Sequence, residues 1–283
     1  MCSVITNIYY NPAVSLYAPK WFMRNLTNAG RIFFGVSIAG MGLLTIYYGD
    51  FPYMLIPPKH SGIPGLTVLA SISGLFLSIA GVCIVMNKQT RPASLLLGAV
   101  LLMIFLFYHV PYEFIAGKNY LSLVEWENAE KELALSCGAL IIAGCFVETN
   151  EKPWIKFLGR LVPLAPILFS ITIISFGILH LQLAKDVAEY VPAWVPARLF
   201  WAYFAGVALI GSGLAIILKI KVRLFASLLG IMIFLWFVML HVPRVIVSPD
   251  KYVGSEIASA FLALAYSGIA FVIAGGEESY RDT

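Results

Sequence analysis

Histidine is the residue type in this sequence that is best suited to chemistry, and two histidines stand at the ends of apolar stretches. His180 ends one such stretch and His241 ends a later one, with Arg244 and Glu256 following it in the sequence. An imidazole can donate a hydrogen bond to a carbonyl oxygen and can exchange a proton near neutral pH. Ionisable groups inside apolar segments are costly and are frequently functional. We therefore take these residues as the candidate reactive group.

The segment that carries His241 occurs twice in the chain. Residues 91–111 match residues 223–243 at one constant spacing, and His109 takes the position of His241. From its arginine to its histidine such a segment is about 27 Å long as an α-helix, close to the thickness of a hydrocarbon core. The proline two residues after each histidine is expected to end the helix, because the residue before a proline disfavours the α conformation.

Composition indicates an integral membrane protein. The chain is 60% hydrophobic and only 12% charged, whereas soluble proteins are about 25% charged. We predict an all-α fold with eight transmembrane helices, of which the fourth is short, because a spanning helix needs about 20 residues. The predicted spans are residues 31–48, 66–86, 93–108, 132–146, 161–180, 199–218, 224–240 and 257–274.

Further matches indicate that the whole membrane unit is duplicated. Gly74 pairs with Gly206 at the spacing that pairs the histidines, and the first span is similar to the fifth. We predict two parallel four-helix bundle repeats, because an even number of spans inserts both halves the same way up. The predicted units are an N-terminal cytoplasmic or interfacial segment (1–30), a first repeat (31–147), a cytoplasmic linker (148–160), a second repeat (161–276) and a cytoplasmic tail (277–283).

The distribution of basic residues predicts the orientation. Most of the 19 lysines and arginines fall in the N-terminal segment, the even-numbered loops and the tail. The positive-inside rule then places both termini in the cytoplasm and all histidines on the outer side. The net charge of +4 is read as this orientation signal. No basic cluster indicates nucleic acid as a partner, and the lipid bilayer is the partner that composition predicts.

A glycine-rich first span, an outer histidine followed by the Pro-Ala-Trp-Val-Pro loop of residues 192–196, and a later helix ending in His241 together resemble the DoxX/DoxD-like membrane proteins. The similarity covers residues 161–275 best. It implies a four-helix membrane bundle, here present twice, and a bacterial inner membrane. It also implies a link to redox chemistry, since some relatives are subunits of quinone-reducing oxidoreductases and others partner soluble redox proteins. The first half departs from the pattern, because Thr45 stands where the second half has His180.

From this resemblance we expect a membrane subunit of an electron-transfer system that interacts with a quinone on the outer, periplasmic side of the second repeat. His241 is then the hydrogen-bond donor or proton carrier, and His180 the second polar contact, with the two facing each other beneath the loop. The flanking residues are Arg244 and Glu256, which would tune charge, Trp194 and Trp236, which would form walls, and His109, the first-half cofactor-binding candidate. No cofactor motif is present, so whether the chain is itself an enzyme stays open, and redox partner proteins are implied.

Other interpretations of the same residues stay open. A histidine at a helix C-terminus is favoured by the helix dipole alone, without any chemistry. Metal or haem ligation by His180, His241 and Glu256 lacks a supporting spacing such as HxxxH, so no metal site is predicted. A non-catalytic scaffold subunit and a small-molecule transporter are alternative functions. Against transport, the predicted spans lack acidic or basic residues near the middle of the bilayer.

Overall fold

The computed structural model describes residues 20–57, 64–117, 120–247 and 255–276, and within these ranges it is built of helices and contains no β-strand. In chain order the α-helices are α1 (Lys20–Tyr48), α2 (Leu66–Val85), α3 (Thr90–Ile104), α4 (Val110–Ala116), α5 (Leu123–Gly144), α6 (Pro153–Leu158), α7 (Ala165–Gln182), α8 (Ala184–Tyr190), α9 (Arg198–Ile217), α10 (Val222–Trp236), α11 (Val242–Val247) and α12 (Ser255–Gly275). Turns of π-helix join α3 to α4 and α10 to α11, and a 3-10 turn joins α6 to α7. His60 and the two chain ends, residues 1–19 and 277–283, lie outside the described residues.

Seven helical runs in the described part of the chain are long and apolar enough to cross a membrane. They are Trp21–Tyr48, Leu66–Val85, Thr90–Ala116, Pro153–Gln182, Arg198–Ile217, Val222–Val247 and Ser255–Gly275. Several of them expose large apolar side chains on their outer faces, as α2 does with Val68, Ile72 and Leu75. Such faces suit lipid rather than water. The prediction of an α-helical integral membrane protein agrees with this architecture.

The first span is longer than predicted. A single helix runs from Lys20 to Tyr48, so no break separates an interfacial segment ending at residue 30 from the membrane repeat. Gly30, which stands at the predicted boundary, lies inside the helix against α12. The boundary was drawn where charge gives way to apolar residues, and an α-helix crosses such a change without interruption when no proline intervenes.

The predicted helix ends at Pro111 and Pro243 are wrong. Each helix passes through a π turn, Phe105–His109 or Phe237–His241, and then continues as α4 or α11. The proline falls in the first turn of the new α segment, where its missing N–H is not needed for an intrahelical hydrogen bond. A π turn inserted ahead of the proline therefore lets the helix continue.

The fourth helix is also displaced from its prediction. α5 begins at Leu123, because the charged residues before position 132 are helical and do not form the outer loop that was predicted. It runs back along α3: Ser136 Oγ donates to the carbonyl of Gly98 over 2.7 Å, and Arg91 Nη1 donates to the carbonyl of Ala143 over 2.7 Å. The C-terminus of α5 therefore lies level with the N-terminus of α3.

The long helices pack as two groups that meet at α5 and α12. α1 packs against α2 and α12, and α12 packs against α10; α5 packs against α3 and α7, and α7 packs against α9. The last helix of each predicted repeat thus lies against the first helix of the other. The largest fully buried side chains are Phe34, Phe169, Ile38, Met41, Ile84, Leu95, Leu97, Leu101, Leu135, Ile142, Ile173 and Ile216.

Glycines allow the closest helix contacts. A Cβ added at Gly42 would lie 2.5 Å from the carbonyl oxygen of Gly74, and a Cβ at Gly74 would lie 2.5 Å from that of Gly42. The α7–α9 pair repeats this arrangement, since a Cβ at Gly177 would lie 2.7 Å from the carbonyl oxygen of Gly206. Small residues bring membrane helices into backbone contact in this way.

Candidate functional site

The end of the second half that carries the second π turn brings His241, Arg244 and Glu256 together, as the sequence predicted. His241 is the last residue of the π turn and is partly buried. Arg244 and Glu256 both lie near enough to interact electrostatically with its ring. Its Nδ1 is buried and has no hydrogen-bond partner within the described ranges. An imidazole nitrogen in this position can bind a polar ligand atom or carry a proton.

Arg244 joins three elements at this end of the bundle. Its Nε donates to Glu256 Oε2 over 2.9 Å, and its Nη2 donates to Glu256 Oε1, which gives a two-pronged ion pair between α11 and α12. Its guanidinium also lies over the ring of Tyr190 in α8, 4.4 Å from the ring centroid. Paired hydrogen bonds of this geometry fix orientation as well as charge. The pair therefore holds a fixed electrostatic environment next to His241.

The first half is built differently at the corresponding place. His109 is fully buried, and its Nε2 lies 3.3 Å from the carbonyl oxygen of Leu55 in the segment after α1. Tyr112 occupies the position that Arg244 has in the second half. In this arrangement the protein's own backbone holds the histidine, and the loss or alteration of a first-half site stays a prediction.

His180 lies in a separate environment. Its Nδ1 donates to the carbonyl of Phe176 over 2.8 Å, one turn earlier in α7, and Glu127 on α5 is its charged neighbour. Among the residues that the structure describes, no hydrogen bond or electrostatic interaction joins His180 to His241. The two histidines belong to different helix contacts, α7–α5 and α10–α12.

The two tryptophans predicted as walls also differ from each other. Trp194 is 71% exposed in the turn between α8 and α9. Trp236 is partly buried and immediately precedes the π turn that carries His241. Of the two, Trp236 is the one that lies next in sequence to the cluster around His241.

Sequence reasoning missed a set of polar groups buried inside the bundle. Glu132 is fully buried, and neither of its carboxyl oxygens has a partner in the described part of the chain. Glu130 Oε2, Ser175 Oγ and Tyr266 Oη are likewise buried and unpartnered among those residues. The only signal was a row of carboxylates directly before an apolar run, and it was assigned to an outer loop instead of a helix.

No group of three or more His, Cys, Asp or Glu side chains in the described ranges is arranged to hold a metal ion. Comparison of the chain with protein-family models, with curated proteins and with solved structures gave no match.

Proposed function

We propose that this chain is a membrane subunit of a redox system and that it interacts with a quinone at the outer end of its second half. The observation that carries the proposal is the unpartnered, buried Nδ1 of His241 beside the Arg244–Glu256 ion pair. A quinone head needs a hydrogen-bond donor at its carbonyl and a proton source, and its tail needs apolar surface. His241 meets the first need, and the exposed apolar side chains of Ile246 and Val247 in α11 meet the second.

We propose further that the architecture is a tandem repeat of four membrane helices, similar to DoxX/DoxD-like proteins, with α5 as an eighth crossing. Three pairs of features support the repeat. π turns end at His109 and His241, positive φ angles occur at Gln89 and Lys221, and a serine hydroxyl binds the carbonyl of Gly98 in one half and of Gly230 in the other. With both termini in the cytoplasm of a bacterial inner membrane, the His241 cluster faces the periplasm.

Partner proteins complete this function. A histidine and an arginine–glutamate pair can hold a quinone and move a proton, but they store no electrons. The electrons must therefore come from, or pass to, a partner that carries a redox cofactor. In this proposal the chain supplies the membrane-embedded quinone site, and a soluble or second membrane subunit supplies the electron carrier.

Titration calorimetry with a short-chain, water-soluble quinone tests the proposal. His241→Leu should weaken binding about tenfold, which corresponds to the loss of one hydrogen bond of about 1.4 kcal/mol. Met239→Leu, a lipid-facing change in the same turn, is the matched control and should bind as the wild type does. Equal affinity in all three proteins, or no binding to the wild type, would contradict the proposal.

Transport of a small molecule is a second candidate, because Glu132 is a carboxyl buried inside the helices. Such groups mark substrate or ion pathways in membrane proteins. The objection that acidic residues are absent from the bundle interior therefore does not hold for α5. In proteoliposomes that contain this chain alone, transport predicts proton uptake driven by a membrane potential and lost in Glu132→Gln. A scaffold role is what remains if neither quinone binding nor uptake is found.

A further inference from the structure

A second group of polar residues lies where α5, α7 and α12 meet. We call it the polar junction and define it as Glu127 and Glu130 of α5, Ser175 and His180 of α7 and Tyr266 of α12. Glu127 is the charged neighbour of His180, and Ser175 is the polar neighbour of Glu130. Both glutamates also interact electrostatically with Tyr266. Three helices therefore direct ionisable or hydroxyl groups at one another.

The polar junction runs from the outer end of the bundle towards its middle. His180 lies near the outer end of α7, and Ser175 is about 7 Å deeper along the helix at 1.5 Å per residue. The Tyr266 ring is stacked on Phe176, with centroids 5.8 Å apart, and is edge-on to Phe169 at 6.0 Å. Phe169 lies about 16 Å below His180 on the same scale. Tyr266 therefore stands near the middle of a hydrocarbon core about 30 Å thick.

The atoms at the inner end of the junction are not satisfied. Glu130 Oε2, Ser175 Oγ and Tyr266 Oη are all buried without a hydrogen-bond partner in the described chain, and Ser175 and Tyr266 are 6% and 7% exposed. Buried polar groups in proteins are nearly always paired, and an unpaired charge in such a place is very costly. A carboxyl beside two hydroxyls avoids that cost when it binds a proton.

The α1–α12 contact, which corresponds to the α5–α7 contact, shows that helix packing does not require the polar side chains of the polar junction. At the α1–α12 contact, Phe261 takes the place of Glu130, because Phe261 is six residues before Ser267 as Glu130 is six residues before Ser136, and these two serines bind the carbonyls of Gly230 and Gly98. The Phe261 ring lies directly over Gly40, which pairs with Ser175 at the spacing that pairs Thr45 with His180. Thr45, in the place of His180, only donates to the carbonyl of Met41 within its own helix. One of two matching contacts is therefore apolar and the other is polar, so the polar one has a role beyond helix association.

We propose that Glu130 is a proton-binding site inside the membrane and that it exchanges its proton with the outer side through Glu127 and His180. The step is a proton transfer alone: a proton from outer water reaches the Glu130 carboxylate and gives the neutral acid, and the reverse step releases it. The groups that face Glu130 are Glu127 and Lys131 on its own helix, Ser175 on α7 and Tyr266 on α12. This proposal does not depend on the quinone site, since it concerns different residues.

The test is labelling of the intact protein in proteoliposomes with dicyclohexylcarbodiimide, which dissolves in membranes and reacts with protonated carboxyls. Peptide mass spectrometry should find the label on Glu130, with much less label at pH 9 than at pH 6, because only the protonated carboxyl reacts. After a jump in outer pH, His180→Ala should slow the change in labelling. The Glu148→Gln variant, which changes an exposed glutamate between α5 and α6, is the control. Its Glu130 should be labelled to the same extent as in the wild type.

Two results would overturn the proposal. One is the absence of label on Glu130 at every pH while the protein stays folded, as judged by its thermal unfolding. The other is labelling of Glu130 that is the same at pH 6 and pH 9. The Glu130→Gln variant guards against a folding artefact, because its amide keeps the size of the side chain. It should lose only the Glu130 label and unfold at the wild-type temperature.

Discussion

Arg244 is the residue whose contacts best define the end of the second half that carries His241. It pairs with Glu256 across α11 and α12 and stacks on Tyr190 of α8, with only part of its side chain exposed. Exposed ion pairs contribute little to stability, but two-pronged and partly buried pairs contribute more. The group therefore serves to fix the position of α11, and with it His241, relative to α12.

A double-mutant cycle tests this contact. Arg244→Met and Glu256→Gln should each lower the free energy of unfolding, and the two losses should be non-additive by about 1 kcal/mol. The measurement is thermal or denaturant unfolding in detergent of the wild type, both single variants and the double variant. Arg198→Met, at an exposed arginine of α9, is the control and should leave the unfolding temperature unchanged. Fully additive losses would mean that the ion pair does not form.

Replacing Glu132 is expected to raise the free energy of unfolding, whereas the changes at Arg244 and Glu256 should lower it. Its carboxyl is buried and has no partner among the described residues, so it costs free energy in the folded state. Glu132→Leu, which keeps most of the volume and removes the polar atoms, should stabilise the protein by about 1–3 kcal/mol. The check is the unfolding temperature in detergent. A fall of several degrees would show instead that Glu132 has a polar partner that the folded protein needs.

The candidate residues differ in how far the sequence could place them. His241, Arg244 and Glu256 were grouped correctly, because they flank the ends of two consecutive apolar spans and neighbouring ends of a helical hairpin meet. His180 was paired with the wrong neighbour. Its charged neighbour is Glu127, and that residue was assigned to a loop because the charges before position 132 hid the start of α5.

Among the helices, the π turns explain how a proline can follow His109 and His241 without ending the helix. The turn at Phe237–His241 inserts one residue into the helical repeat, which rotates the following side chains relative to α10. Helical turns of this kind are common at functional sites. The position of Pro243 is visible in the sequence, but the extra residue is not, because π turns have no distinctive composition.

Backbone contact between α1 and α2 yields a prediction for the helix pairs. A Cβ at Gly74 would lie 2.5 Å from the carbonyl oxygen of Gly42 and 2.7 Å from Cγ1 of Ile46, so Gly74→Ala should force the helices apart. We expect a loss of about 1–3 kcal/mol, measured as a lower unfolding temperature. In Gly211→Ala, the control, the new Cβ meets no described atom within 4 Å.

The control variant Gly211→Ala also has an expected effect on the free energy of unfolding. Gly211 lies in the interior of α9, where alanine is the better helix former by about 1 kcal/mol. Gly211→Ala should therefore be neutral or stabilising. Equal destabilisation by Gly74→Ala and Gly211→Ala would show that the close approach of α1 and α2 is not what the glycine provides.

At the scale of the whole molecule, α5 decides the topology. Seven helical runs of the described chain are apolar enough to cross a membrane, and an odd number would place the termini on opposite sides. α5 carries charge in its first half, yet it returns along α3 as far as Arg91. We therefore expect reporter fusions at the N-terminus and at the C-terminus to locate on the same, cytoplasmic side. Location of the two reporters on opposite sides would mean that α5 does not cross.

The sequence was most informative about the membrane class and the long apolar helices, because hydrophobicity and length are local properties. It was least informative about which helices touch. The contacts of α12 with α1 and of α5 with α7 join elements far apart in the chain, and only the fold brings them together. The polar junction was missed for the same reason, since Glu130, Ser175 and Tyr266 come from three separate helices.

Quinone binding at His241 can be measured by mass spectrometry of an organic extract from the protein purified in mild detergent. The wild type is compared with His241→Ala and with Val238→Ala, which changes a lipid-facing residue of the same π turn. We expect near-stoichiometric quinone in the wild type and in Val238→Ala, and its loss in His241→Ala. No enriched quinone in any of the three, or equal quinone in all of them, would contradict it.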